Sequence, residues 1–129
     1  MLKKFKQDFQ LKGKVIKGLG NGSTQAFATI NLDPAIWPAK LERGIYAAWV
    51  FVGGQRYLGA LFFGPRVVID EETDVLEIHL LDFTGNIYGQ EIAFSVEDYI
   101  RPVRPFTSFA DLKQQIAADI AEVRQRLTD

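Results

Sequence analysis

The sequence has no cysteine and a single histidine, His79. Without thiols there are no disulfides, no thiolate nucleophile, no iron–sulfur cluster and no zinc site built on Cys. One imidazole also excludes a metal site assembled from several histidines. The charge is nearly balanced, with 15 Lys and Arg against 16 Asp and Glu for a formal net charge of -1. No basic excess therefore calls for a nucleic-acid partner. Long apolar runs are missing as well. The longest, Ile45 to Val52, has eight residues, far below the roughly 20 that a membrane-spanning helix needs. The charged start, Met1 to Gln10, has no apolar core and is not a secretory signal. A cytoplasmic, monomeric or weakly associating domain, with no membrane partner, is the expectation from these absences.

At 129 residues, 47% of them hydrophobic, the chain is read as one domain over 1–129, large enough to bury its own core. No internal repeat or Pro/Gly/Ser-rich linker divides it. Glycines cluster at Gly13, Gly18, Gly20 and Gly22, and again at Gly53-Gly54. The second pair separates two strand-like runs, Ile45–Val52 and Gln55–Phe63, and predicts a tight hairpin. The first run is apolar at odd and even positions alike. Both of its faces must be covered, as inside a small closed barrel or beneath a helix. A second hairpin is expected from Asp74–Phe83 and Ile87–Val96, joined by Thr84-Gly85-Asn86. Within it Leu76, Ile78 and Leu80 share the core face, so Glu77 and His79 fall on the other, where they can line a cleft.

After residue 108 the period changes. Leu112, Ile116, Ile120, Val123 and Leu127 are spaced by 4, 4, 3 and 4, one stripe of an α-helix. Ser108 with Asp111 resembles a capping box, and Arg124 and Arg126 suit the negative helix end. The fold class is therefore mainly β: about six antiparallel strands followed by a C-terminal helix.

Several segments can carry chemistry. The glycines from Gly13 to Gly22 permit close backbone approach to phosphate oxygens, but they match neither the P-loop nor the dinucleotide pattern; a plain turn segment is the other reading. Thr29 and Asn31 project to one side of an extended segment. Together they offer a hydroxyl and an amide oxygen, hard ligands suited to Mg2+, or else a solvated strand end. Glu77 is an isolated carboxylate in an apolar strand. It is either a partly buried general base or a solvated charge on the outer sheet face. Arg101 and Arg104, set between prolines, lie beside a ligand or simply on the surface.

The segments taken in order resemble a known family. They are the Gly-rich stretch with Thr29-Ile-Asn31, Gly44-Ile-Tyr-Ala47, Leu76-Glu-Ile-His-Leu-Leu-Asp-Phe83 with Tyr88-Gly89, Tyr99-Ile-Arg-Pro102, Phe106-Thr-Ser-Phe109, and the final helix with Asp119. Over residues 8–127 this order is similar to the riboflavin kinase (flavokinase) domain, found alone or as the C-terminal half of bacterial bifunctional FAD synthetases. The resemblance implies a six-stranded antiparallel, Greek-key-like barrel with a C-terminal helix. It also implies transfer of the γ-phosphoryl of ATP to the terminal ribityl hydroxyl of riboflavin, giving FMN and ADP with Mg2+ as cofactor. By the same resemblance Gly18, Gly20 and Gly22 belong to the nucleotide loop, Thr29 and Asn31 bind Mg2+ and phosphate, and Glu77 is the catalytic base. Arg101 joins the ligand-binding candidates. The family signature Gly-Phe-Pro-Thr-Ala-Asn reads Ala26-Phe-Ala-Thr-Ile-Asn31 here, and Gly64-Pro-Arg-Val-Val68 replaces a Gly-x-x-Pro-Thr segment. These departures motivate an alternative, a non-catalytic flavin- or nucleotide-binding module of the same fold. A β-barrel interaction domain without a small ligand is the third possibility.

Overall fold

The computed structural model describes residues 10–16, 28–65, 74–104 and 108–128. Its elements are β1 (Gln10–Lys14), β2 (Ala28–Leu32), β3 (Gly44–Val52), β4 (Gln55–Pro65), β5 (Asp74–Leu80), β6 (Glu91–Arg101) and α1 (Phe109–Leu127). A 3-10 turn, Pro34–Ile36, follows β2. The six strands form one sheet in the order β1-β6-β3-β4-β5-β2, antiparallel throughout.

The sheet curls until its edges meet. Ile16, just past β1, forms a bridge to Asn31 of β2, its N–H donating to the Asn31 carbonyl at 2.8 Å. Gly13 helps the approach: a Cβ there would lie 2.8 Å from Ile36 Cδ1 and 3.2 Å from Leu32 Cδ2. The chain thus forms the expected antiparallel barrel.

Strand alternation fills that barrel. Tyr46, Ala48 and Val50 of β3, Leu61 of β4, Leu76, Ile78 and Leu80 of β5, and Ile92, Phe94 and Val96 of β6 share one buried cluster. The opposite parity of β3 and β4, Ala47, Leu58 and Ala60, joins Ile116, Ile120 and Val123 of α1 in a second cluster outside the barrel. This explains why Ile45–Val52 is apolar at every position: one face lines the barrel and the other lies under the helix. The helix begins where expected, with Ser108 Oγ accepting from the Asp111 N–H at 3.1 Å.

Two pairs of opposite charge lock the helix to β6. The register of β6 on β3 shifts twice, between Ala47 and Ala48 and between Ile45 and Tyr46. These bulges turn Asp98 and Arg101 to the outer face, opposite Ala47 and Ile45. There Arg101 meets Asp119 at 2.8 Å, and the fully buried Asp98 faces Arg126 at 3.8 Å. Acid and base are exchanged between the two pairs. Position 98 pairs with 126 and position 101 with 119, so the helix runs antiparallel to β6.

The first expected hairpin is present. Gly53 (φ 57) and Gly54 (φ 83) form its two-residue turn between Val52 and Gln55, the positive-φ geometry that favours glycine. The second is not. The β5 strand ends at Leu80 and pairs with β4 and β2, whereas β6 begins at Glu91 and pairs with β3 and β1. Residues 81–90 cross between them as a loop. Asp82 adopts φ 59, Ile87 is buried in the barrel, and Asn86 Oδ1 accepts from the Tyr88 N–H at 2.9 Å. The β-rich composition of both segments was read correctly, but composition does not choose a strand's partner.

Gly59, on the barrel's inner face, tests how tightly this interior is filled. A Cβ there would lie 2.6 Å from Ile78 Cγ2 and 3.1 Å from Val50 Cγ2, both on fully buried side chains. Gly59→Ala should destabilise the protein by about 1–3 kcal/mol through overpacking, read as a lower urea midpoint at an unchanged slope. An unchanged midpoint would show that the interior has room.

Candidate active site

The β2–β5 ladder sets Asn31 opposite Glu77 and Thr29 opposite His79. On the other side of β5, Phe62 and Ala60 of β4 oppose the same two residues. Directly opposed residues in an antiparallel pair share a face. Because Leu76, Ile78 and Leu80 point inward, Thr29, Asn31, Glu77 and His79 lie together on the outside of the barrel. The structure thus brings together three residues named from sequence as metal, phosphate or catalytic candidates.

Burial grades along this row. Thr29, Asn31 and Glu77 are half-buried, whereas His79 is only 8% exposed. Ala60, opposite His79, belongs to the cluster beneath α1. Thr29 Oγ1 and His79 Nδ1 lie 2.9 Å apart. Burial lowers the His79 pKa to about 4, a shift opposed in part by the Asp119 carboxylate. The ring is therefore neutral at pH 7.

Asp119 is the residue that the sequence reading left without a role. It is 4% exposed and accepts from Arg101 Nε at 2.9 Å, Arg101 Nη2 at 2.8 Å and Gln115 Nε2 at 3.0 Å. Its signal was available: an acid between Ile116 and Ile120 on the apolar stripe of a helix. Arg101, carried from sequence as a ligand-binding candidate, has its guanidinium on Asp119 and on the Pro102 carbonyl, the latter at 2.9 Å. In this structure it ties β6 to the C-terminal helix.

Gly18, Gly20 and Gly22 lie outside the described residues, as do Ala26 and Val67-Val68. The stems of the Gly-rich stretch are described. Ile16 precedes it and is bonded to Asn31, and Ala28 follows it one residue before Thr29. Both ends of the stretch therefore meet at the candidate site.

The donor set suits a hard divalent cation. Thr29 and Asn31 offer a hydroxyl and an amide oxygen from one face of one strand. No group of three or more His, Cys, Asp or Glu able to hold a metal occurs among the described residues. A site with few protein ligands fits Mg2+, which keeps waters and takes much of its coordination from substrate phosphates.

An antiparallel barrel with a polar row on its outer wall, beside the stems of a Gly-rich stretch, offers a candidate small-molecule site carried on a filled scaffold. The riboflavin kinase (flavokinase) family matches residues 5–127, and the chain belongs to that family. Human riboflavin kinase is 30% identical over 122 residues, covering 90% of this chain and 79% of the human protein. Among solved structures, a riboflavin kinase from Trypanosoma brucei superposes with a TM-score of 0.62 at 25% identity, covering 93% of this chain and 80% of that one. A Streptococcus pneumoniae structure described as a macrolide-efflux protein superposes with a TM-score of 0.75 at 28% identity, covering 89% of this chain and 38% of that one. The chain spans 17%, 50% and 36% of the length of three bacterial relatives that it matches.

The buried, neutral imidazole predicts a pH dependence of stability. The unfolded chain takes up a proton at His79 near the ordinary value of 6.5, and the folded chain does so only near 4. The unfolded state therefore binds more protons between these values. Stability from this group is complete above pH 6.5 and is lost as pH falls to 4, by about 3 kcal/mol. Urea unfolding at several pH values should show this loss in the wild type and a flatter profile in His79→Gln. Identical profiles would show that the ring titrates normally.

Proposed function

We propose that this chain is an ATP- and Mg2+-dependent riboflavin kinase. The observation that carries the reading is the β2–β5 register, which sets a carboxylate, an amide and a hydroxyl side by side on the outer wall. Phosphoryl transfer asks for little more than an oriented nucleophile, positioned phosphates and neutralised charge.

Riboflavin would present its terminal ribityl hydroxyl to the Glu77 carboxylate. As the hydroxyl oxygen bonds to the γ-phosphorus, the bond from that phosphorus to the β–γ bridging oxygen breaks. FMN and ADP are the products, and the hydroxyl proton passes to Glu77. Thr29 and Asn31 would hold Mg2+ and phosphate oxygens, with Gly18, Gly20 and Gly22 supplying backbone N–H groups. Bound Mg2+ would neutralise charge on the nucleotide phosphates. Arg101 contributes through Asp119 rather than by direct contact with the nucleotide. Retention of Thr29, Asn31 and Glu77 in one row favours a working kinase over a binding module. The reading further holds the domain as a cytoplasmic monomer whose partners are small molecules. A net charge of -1 gives no basic excess for a nucleic-acid partner, and no helix among the described residues is long and apolar enough to cross a membrane.

Incubation with riboflavin, ATP and Mg2+ should yield FMN on chromatography. Glu77→Gln, which keeps the side-chain shape but cannot take the proton, should lower kcat by about 10²–10⁴-fold while riboflavin fluorescence quenching is preserved. Wild-type turnover in that variant would remove Glu77 as the base. An absence of FMN from the wild type would remove the kinase assignment.

A further inference from the structure

The Thr29–His79 pair crosses 50 positions of sequence and has no part in the reaction as written. A threonine hydroxyl has one hydrogen and two lone pairs. If the oxygen is to face a cation, its hydrogen must point elsewhere, toward an acceptor held on the other side. A hydrogen bond between a hydroxyl and an imidazole nitrogen can run in either sense, and only one of them serves. When Nδ1 accepts, Thr29 donates its hydrogen to the ring and both lone pairs turn away from it. When Nδ1–H donates, it occupies a lone pair and leaves the hydroxyl hydrogen to meet the cation.

We infer that His79 is a positioning residue: its neutral ring carries the proton on Nε2, accepts the Thr29 hydroxyl hydrogen at Nδ1, and thereby aims the Thr29 Oγ1 lone pairs at Mg2+ or a phosphate-bound cation. This inference rests on the reading of Thr29 as a ligand. Two features support it. The pair is in direct register across β2 and β5, so the backbone fixes the approach of the two groups. The ring is buried, a setting that favours the uncharged form able to accept. The Asp119 carboxylate on α1, held by Arg101 and Gln115, opposes this preference only in part. A hydrogen bond therefore joins His79 to Thr29, while the ring feels the charge of that carboxylate. His79 thus has a part in the site without any contact with substrate, as the outer partners of metal ligands commonly have.

Because the protein has one histidine, an untagged 15N-labelled sample reports its tautomer directly. Long-range 1H–15N spectra at pH 7 should show a neutral ring protonated at Nε2; an Nδ1-protonated or cationic ring overturns the inference without any mutation. ADP titrations with and without Mg2+ supply the second arm. His79→Asn places an amide where Nδ1 lies, whereas His79→Gln places it near Nε2. The Asn variant should keep most of the Mg2+-dependent gain in ADP affinity. The Gln variant should lose about tenfold of it, with Mg2+-free binding unchanged in both. A full gain in His79→Gln, alongside a lost gain in Thr29→Val, overturns the positioning role alone. A full gain in Thr29→Val overturns the metal reading of Thr29 and this inference with it.

Discussion

The antiparallel register between β2 and β5 is the constraint on which the site depends. Side chains alternate with a period of two, so a slip of one residue would exchange the two faces of β5. Glu77 and His79 would enter the barrel, and Leu76, Ile78 and Leu80 would face outward. Burying an unpaired carboxylate costs far more than any contact it could regain there. The apolar side chains of Ile30, Leu32, Leu76, Ile78 and Leu80 in the barrel core therefore hold the polar row in place from behind. The Thr29–His79 hydrogen bond pins the same register from the front.

The barrel is a support rather than a container. Tyr46, Phe94, Leu61 and Val50 are fully buried within it, as expected of a small barrel whose interior is just filled by side chains. A ligand must then bind outside, where α1 covers one stretch of the wall and leaves Thr29, Asn31 and Glu77 half-buried. The reciprocal pairs Arg101–Asp119 and Asp98–Arg126 fix where that cover ends. Buried ion pairs are weak sources of stability; here they tie the helix that bears Asp119 to β6.

What was legible in the sequence was local or periodic. Gly53-Gly54 announced its turn, the 4, 4, 3 and 4 spacing announced the helix, and alternation placed Glu77 and His79 on the face opposite the core. The order of motifs along the chain carried the family resemblance. The residues 74–96 misled because they are strand-like whatever they pair with; β5 pairs with the preceding β4 and the distant β2, and β6 with the distant β3 and β1. The contacts between Thr29 and His79 and between Arg101 and Asp119 span 50 and 18 positions. No local rule reveals such pairings, although a lone acid in the helix stripe was a visible sign that something polar lay beneath it.

The claim that the outer β2–β5 wall receives both substrates is tested most directly by mapping backbone amide shifts while riboflavin, and then ADP with Mg2+, are added to the labelled protein. The account predicts that the largest changes fall on Thr29, Asn31, Glu77 and their immediate neighbours, with the Gly53-Gly54 hairpin end unmoved. Changes centred on that hairpin end, with β2 and β5 silent, would contradict it.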